Sequence, residues 1–304
     1  MIGTQQLVKK VPFTVQAQQT RELCSNIIKC RHDEEGLQEV LDDPKFKYYF
    51  IWFRSYGKSF TSGQVDFDTE YGETYRFVMN LLEKYQDQDK VFCLGNWEGD
   101  WYLLPDKNKT IDAPPERIQG MIEWHQIRFS ALRTAREKFP QSRSKVYYYI
   151  EMNRVTDAWE SNMKRIVNEV LPHVQTDFVS LSSWELQEKS TEDIAKIFDY
   201  INSYANYSDT FPWDQKIMIG EFGIPSVRFN YDGDKHSDAN IEIYNKFKAL
   251  GCPFILYWAM HNNELKPDGR PKGLWLINDD GEKVPFFYTM QKMCIEQNQG
   301  SAVV

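Results

Sequence analysis

Five glutamates stand where an apolar run gives way to a polar one. They are Glu98 in Gly95-Asn96-Trp97-Glu98-Gly99-Asp100-Trp101, Glu151 in Glu151-Met152-Asn153-Arg154, and Glu185 after Ser182-Ser183-Trp184. The others are Glu221 in Gly220-Glu221-Phe222-Gly223 and Glu264 after His261-Asn262-Asn263. Carboxyl groups in pairs can open a bond between them. One, kept protonated by its surroundings, donates to the leaving oxygen, while the other attacks carbon or activates water. Four tryptophans, Trp97, Trp101, Trp184 and Trp258, lie among these acids. Indole rings offer apolar platforms to the C–H faces of sugars, and they desolvate a neighbouring carboxyl and so raise its pKa. A rim of carboxylates and aromatics therefore suits glycosidic chemistry. No Gly-rich phosphate loop, zinc-binding His pair or serine elbow in the sequence points elsewhere.

Within this set, Glu98, boxed by Trp97 and Trp101, and Glu221 read as the working pair. Glu185 and Glu264 read as solvated loop charges, and Glu151 as a buried partner of Arg154 or Arg54. Asn96, Trp97, Trp101, Asn153, Trp184, Trp258 and His261 share the rim and are expected to contact substrate. A metal-assisted alternative would gather Glu98, Asp100 and His261, but no closely spaced His pair accompanies them. No metal and no cofactor is expected.

These acids can meet only if the runs before them are parallel strands ending at one edge, as in an α/β barrel. The candidate strands are Tyr48–Phe53, Lys90–Leu94, Lys145–Ile150, Asp177–Leu181, Lys216–Ile219 and Pro253–Trp258. Each is nearly continuous in its apolarity, as a strand buried on both faces should be. Helical spacing recurs between them over Thr74–Tyr85, Pro115–Lys138, Asp157–Leu171, Ser190–Tyr204 and Ala239–Leu250. The expected fold is one (β/α)8 TIM barrel spanning 1–304 as a single catalytic domain. Its N-terminal strands must be very compact or absent: before Tyr48, Pro12–Val15 is the one candidate strand, and Thr20–Lys29 and Glu34–Leu41 read as helices.

The chain has 304 residues and a net charge of -8, without clustered Lys and Arg, so a nucleic-acid partner is not expected. No run is long and apolar enough to span a bilayer. The N-terminus lacks the layout of a secretory signal, which fits either a cytosolic protein or the mature form of an exported one. The five cysteines are odd in number and scattered, with no CxxC pair, and Cys93 and Cys252 are expected to be reduced core residues. Carbohydrate is the expected partner.

Ile217-Met218-Ile219-Gly220-Glu221-Phe222-Gly223 resembles the strand-seven nucleophile motif of clan A glycoside hydrolases. These are retaining TIM-barrel enzymes that include many cellulases, mannanases and β-glycosidases. The clan's nucleophile ends strand seven, often as (I/V)xxGEFG; its acid/base Glu ends strand four after an Asn; strand eight carries a Trp beneath the sugar. The resemblance covers roughly residues 46 to 290. It implies Glu221 as nucleophile, Glu98 as acid/base and Trp258 as the platform at the cleavage point. The clan has Asn directly before the acid/base Glu, to reach the sugar 2-hydroxyl; here Trp97 separates Asn96 from Glu98. Ser182, Ser183 and Trp184 stand where the clan often places His or Tyr to hold the nucleophile. The clan's Arg beside the nucleophile comes from strand two, and Arg54 is the nearest candidate. The resemblance thus implies retaining hydrolysis of a β-linked oligo- or polysaccharide. The alternative is a carbohydrate-binding barrel without turnover.

Overall fold

The computed structural model describes residues 11–54 and 65–300. Seven strands form one sheet, and every pairing in it is parallel. They are β1 (Ile27–Arg31), β2 (Tyr48–Trp52), β3 (Val91–Gly95), β4 (Lys145–Met152), β5 (Phe178–Ser182), β6 (Ile217–Phe222) and β7 (Ile255–Tyr257). Spatial order follows chain order, so each connection steps over by one strand, the winding of a barrel rather than of a doubly wound sheet. The sheet curls: Phe254, just before β7, lies 5.1 Å from the Tyr48 ring and 5.0 Å from the Phe50 ring of β2. It does not close among the described residues, where β1 and β7 are the unpaired edges and no eighth strand joins them.

Two apolar cores result from strand alternation. Inside the curl sit Phe50 of β2, Cys93 of β3, Tyr147 and Tyr149 of β4, Phe178 of β5, Met218 of β6 and Phe254 just before β7. Phe211 and Trp213, which precede β6, pack against this cluster from below; Phe211 stacks on Phe178 at 4.4 Å. Outside, the sheet meets its helices: α1 (Phe13–Glu22), α2 (Leu37–Asp42), α3 (Phe67–Tyr85), α4 (Gly99–Leu103), α5 (Pro115–Glu137), α6 (Val155–Ser161), α7 (Thr191–Tyr204), α8 (Gly233–Ala249) and α9 (Pro285–Gly300). α7 shows why these segments are helical. Ser190 caps it by accepting from the Asp193 N–H, and Ile194, Ile197, Phe198 and Ile201 form one buried stripe. Each such side chain contributes about 1.5–3 kcal/mol on burial. No described helix is long and apolar enough to cross a membrane.

All six strands expected from apolar runs are present, shifted by a few residues at most. Two expectations near the N-terminus fail. Pro12–Val15 is not a strand: Pro12 precedes α1, its fixed φ of -55° leading into the first turn. The helix expected over Thr20–Lys29 stops at Glu22, and Ile27–Arg31 is β1. Its apolar run is broken by Lys29, which points inward to buried carboxylates. The expected helix over Asp157–Leu171 is also interrupted. α6 ends at Ser161 with Asn162 in the left-handed region at φ 53°. A wide π turn (Ile166–Val170) follows, preceded by Arg165 in extended conformation, fully buried and paired with Asp157. The cysteines are all free thiols; Cys93 is buried and Cys252 half-buried.

Candidate active site

The C-terminal ends of the parallel strands form one rim, and the inner face just beneath it turns from apolar to polar. Lys29, Glu151, Ser180, Gly220, Glu221 and Ser182 meet there, contributed by β1, β4, β5 and β6. The β5–β6 register shifts between Leu181 and Ser182, so that Ser182 pairs with Glu221. An irregularity of this kind re-aims a side chain at a rim. Ser183 fixes the Glu221 backbone twice, its N–H and its hydroxyl both donating to the Glu221 carbonyl at 2.8 and 2.9 Å.

Glu221 is buried, and its carboxylate is held at both oxygens. The Trp184 indole N–H donates to Oε2 at 3.2 Å, and the Lys29 ammonium to Oε1 at 3.4 Å. Burial raises its pKa to about 7, with Glu151 adding repulsion while Lys29, Ser182 and Trp184 pull the other way. Glu98, which leads into α4, is buried too and adopts φ 24°, ψ 66°, a backbone state costing a non-glycine residue of order 1–3 kcal/mol. Burial, then the charges of Glu221 and Glu151, push the Glu98 carboxyl up to about 8. The Ser182 hydroxyl is buried between the two carboxyls and interacts with both, without a well-formed hydrogen bond to either. Burial and mutual repulsion raise both carboxyls, so the two titrate as a coupled pair. Such a pair can hold one protonated and one ionised carboxyl near neutral pH.

The remaining rim residues separate into two groups. Trp258 is half-buried against Trp52, ring centroids 5.7 Å apart, and Trp52 in turn carries the Lys29 ammonium 4.3 Å from its ring. Trp97 is half-buried, edge-on to Tyr102 with Lys107 over its face; Trp101 sits beside the Arg154 guanidinium. These rings, with Trp184, are the ones left partly open. Asn96 is spent on the backbone: it accepts from the Glu151 N–H at 3.0 Å and donates to the Glu151 carbonyl at 2.9 Å, stitching the end of β3 to β4. Asn153 accepts from the Asp100 N–H at 3.2 Å. His261 contacts Gln19 of α1 through Nε2 at 2.6 Å. Arg54 is exposed, its backbone N–H donating to His32 Nδ1. The cation on Glu221 is Lys29, in the stretch expected as a helix; the signal that could have found it is the alternation of Ile28-Lys29-Cys30-Arg31.

Of the other acids, Glu185 and Glu151 depart from expectation, and Glu264 is the loop charge expected. Glu185 is not a solvated charge: only 10% of its side chain is exposed, and it accepts from the Thr156 N–H at 2.7 Å and the Thr156 hydroxyl, with Arg154 at 3.5 Å. Glu264 is half-buried and paired with Lys272. Glu151 is buried, but its partner is Lys29 rather than Arg154 or Arg54. Among the described residues no group of three or more His, Cys, Asp or Glu is placed to hold a metal. Asp100, a member of the metal alternative, is instead a backbone clamp, accepting from the N–H groups of Asn153, Arg154 and Ile166 at 3.0, 3.1 and 2.9 Å. Asp100→Ala would orphan two buried donors and one part-buried one, the buried ones at about 1–3 kcal/mol each. We expect it to lower unfolding free energy by about 3 kcal/mol or more, read from urea denaturation. A loss below about 1 kcal/mol would mean water or a local shift satisfies these groups.

No protein-family pattern matches the chain, and no curated protein matches it in sequence. Solved structures do resemble it in fold. A GH2 β-galacturonidase from Eisenbergiella tayi, solved with galacturonate, superposes at a TM-score of 0.59 with 11% identity over 94% of this chain and 48% of its own. An exo-β-1,4-mannosidase from Opitutaceae bacterium strain TAV5 gives 0.59 and 12% over 94% and 55%. A β-glucuronidase from Faecalibacterium prausnitzii gives 0.54 and 10% over 93% and 45%. The chain spans about half the length of these structures, and at such identities the likeness is one of fold alone.

Proposed function

We propose that this chain is a glycoside hydrolase on a (β/α)8-type barrel, cleaving a β-linked oligo- or polysaccharide with retention. Glu221 serves as nucleophile and Glu98 as acid/base. The observation that carries this reading is the pair itself: two buried carboxyls on one rim, both raised toward neutrality and both interacting with the buried Ser182 hydroxyl. The Trp97, Trp101, Trp184 and Trp258 rings around them suit sugar faces. Three fold neighbours are named as a β-galacturonidase, an exo-β-1,4-mannosidase and a β-glucuronidase, which makes β-uronides and β-mannosides the first substrates to try. The test is hydrolysis of a panel of 4-nitrophenyl β-glycosides and plain polysaccharides, with and without a chelator, followed by NMR of the first-formed anomer. Chelator-insensitive release of the β anomer is expected; release of the α anomer would make the mechanism inverting.

A second reading is a sugar-binding barrel without turnover. It is favoured by Asn96, whose amide is committed to the Glu151 backbone and not free for a sugar hydroxyl. Oligosaccharide binding with no hydrolysis across the panel would select it.

The pH dependence follows from the pair. Glu221 must be ionised, so kcat/KM should rise as pH climbs through about 7; Glu98 must be protonated, so it should fall again above about 8. A profile still flat at pH 10 would remove Glu98 from the acid role.

A further inference from the structure

We propose that Glu151, with Lys29, is the positioning device of this site: one buried carboxylate that sets the placement of both working acids. The inference rests on the glycosidase reading for its consequence in turnover, but its geometry stands by itself. Glu151 is fully buried at the end of β4. Its Oε1 accepts the Glu98 backbone N–H at 3.2 Å, at the residue whose backbone occupies the costly left-handed state. Its Oε2 accepts the Lys29 ammonium at 3.1 Å and the Ser180 hydroxyl at 2.9 Å. The same ammonium donates to the Gly220 carbonyl at 2.9 Å and reaches Glu221 Oε1 at 3.4 Å, so its three protons have three acceptors. Glu98 and Glu221 are thus tied to opposite ends of a single ion pair.

The local sequence is shaped around that pair. A Cβ on Gly220 would lie 2.5 Å from Glu151 Oε2 and 2.1 Å from Ser180 Oγ, so the glycine before Glu221 is the residue that leaves room for the Glu151 carboxylate. Asn96 clamps the Glu151 backbone on both sides, fixing the strand end from which the carboxylate projects. An unpaired charge buried here would be costly, so neither Lys29 nor Glu151 is replaceable singly without consequence for the other. The charged and titratable groups facing Glu151 are Lys29 from β1, Glu98 ahead of α4, Tyr102 on α4, Tyr149 on β4 and Glu221 on β6.

This geometry makes opposite forecasts for the two partners. Glu151→Gln removes a negative charge and leaves Lys29 facing the acids, so both carboxyls should titrate lower and both limbs of the pH–rate profile should move to lower pH, by about one unit. Lys29→Met removes the positive charge and should move both limbs the other way. The double variant buries no unpaired charge; its limbs should return to near wild type while kcat stays about 10-fold or more reduced at little-changed KM, because Glu98 and Glu221 are no longer tied. Carboxyl titrations by NMR with 13C-labelled Glu, run on the same proteins, follow Glu98 and Glu221 without needing turnover. If the wild type hydrolyses nothing, the glycosidase reading fails while these titrations still decide the linkage. If either single variant fails to fold, the double variant carries the test through its kcat and its titration. Unmoved or same-direction titrations in the two single variants, or a double variant with wild-type kcat, would overturn the proposal.

Discussion

Glu221→Gln is expected to abolish hydrolysis of every substrate together, by about 10⁴–10⁶-fold, the range found when a nucleophile or its close partner is removed. The amide is nearly isosteric and can still accept from Trp184 Nε1, so the site should keep its shape. What it loses is the ionised carboxylate that would attack the sugar carbon. With no glycosyl-enzyme able to form, a reactive leaving group offers no relief. The comparison to make is kcat/KM on a dinitrophenyl glycoside and on a natural oligosaccharide. A loss confined to the poorer leaving group would move Glu221 to the acid role, and wild-type rates on both would remove it from the mechanism.

Glu98→Gln should fail differently. The proton donor is gone, so poor leaving groups should lose roughly 10²–10⁴-fold. A dinitrophenyl glycoside, whose leaving group needs no proton, should still glycosylate the enzyme in a rapid burst. Turnover should then stall, because no base remains to activate water. Azide needs no base, and adding it should restore turnover with a β-glycosyl azide as product if the natural bond is β. The falling limb of the pH profile should vanish in the same variant, since that limb reports the Glu98 proton. Absence of any leaving-group dependence or of azide rescue would exclude Glu98 as acid/base.

Both forecasts lean on residues that were legible in the sequence, and the reason is physical. A strand buried on both faces must be apolar along its length, so β2 to β7 announce themselves as runs such as Tyr48–Phe53 and Lys216–Ile219. In a parallel sheet all such runs end at one edge, so the acids that follow them gather without any further information. Glu98 and Glu221 come together for that reason. Helices with a clear stripe and cap, such as α7 with Ser190 ahead of it, were equally readable.

What the local pattern could not show was where polar groups are spent. Lys29 interrupts an apolar run and reads as a break; only the sheet, by setting β1 three strands from β4, puts its ammonium beside Glu151 and Glu221. Asn96 and Asn153 read as sugar-binding amides, but their partners lie 55 and 53 residues away in the chain, on backbone that the β3–β4 pairing brings into contact. After α6, likewise, the buried Arg165 guanidinium meets Asp157, a contact that helical spacing does not reveal. The amino-acid sequence by itself determined the runs of β2 to β7, the order of the rim and the presence of Glu98 and Glu221 on it, because these follow from periodicity and chain direction. The tertiary structure alone decided how deeply both acids are desolvated, which cation faces Glu221 and that the Asn96 amide is committed. Those depend on desolvation and on contacts between groups far apart in the chain.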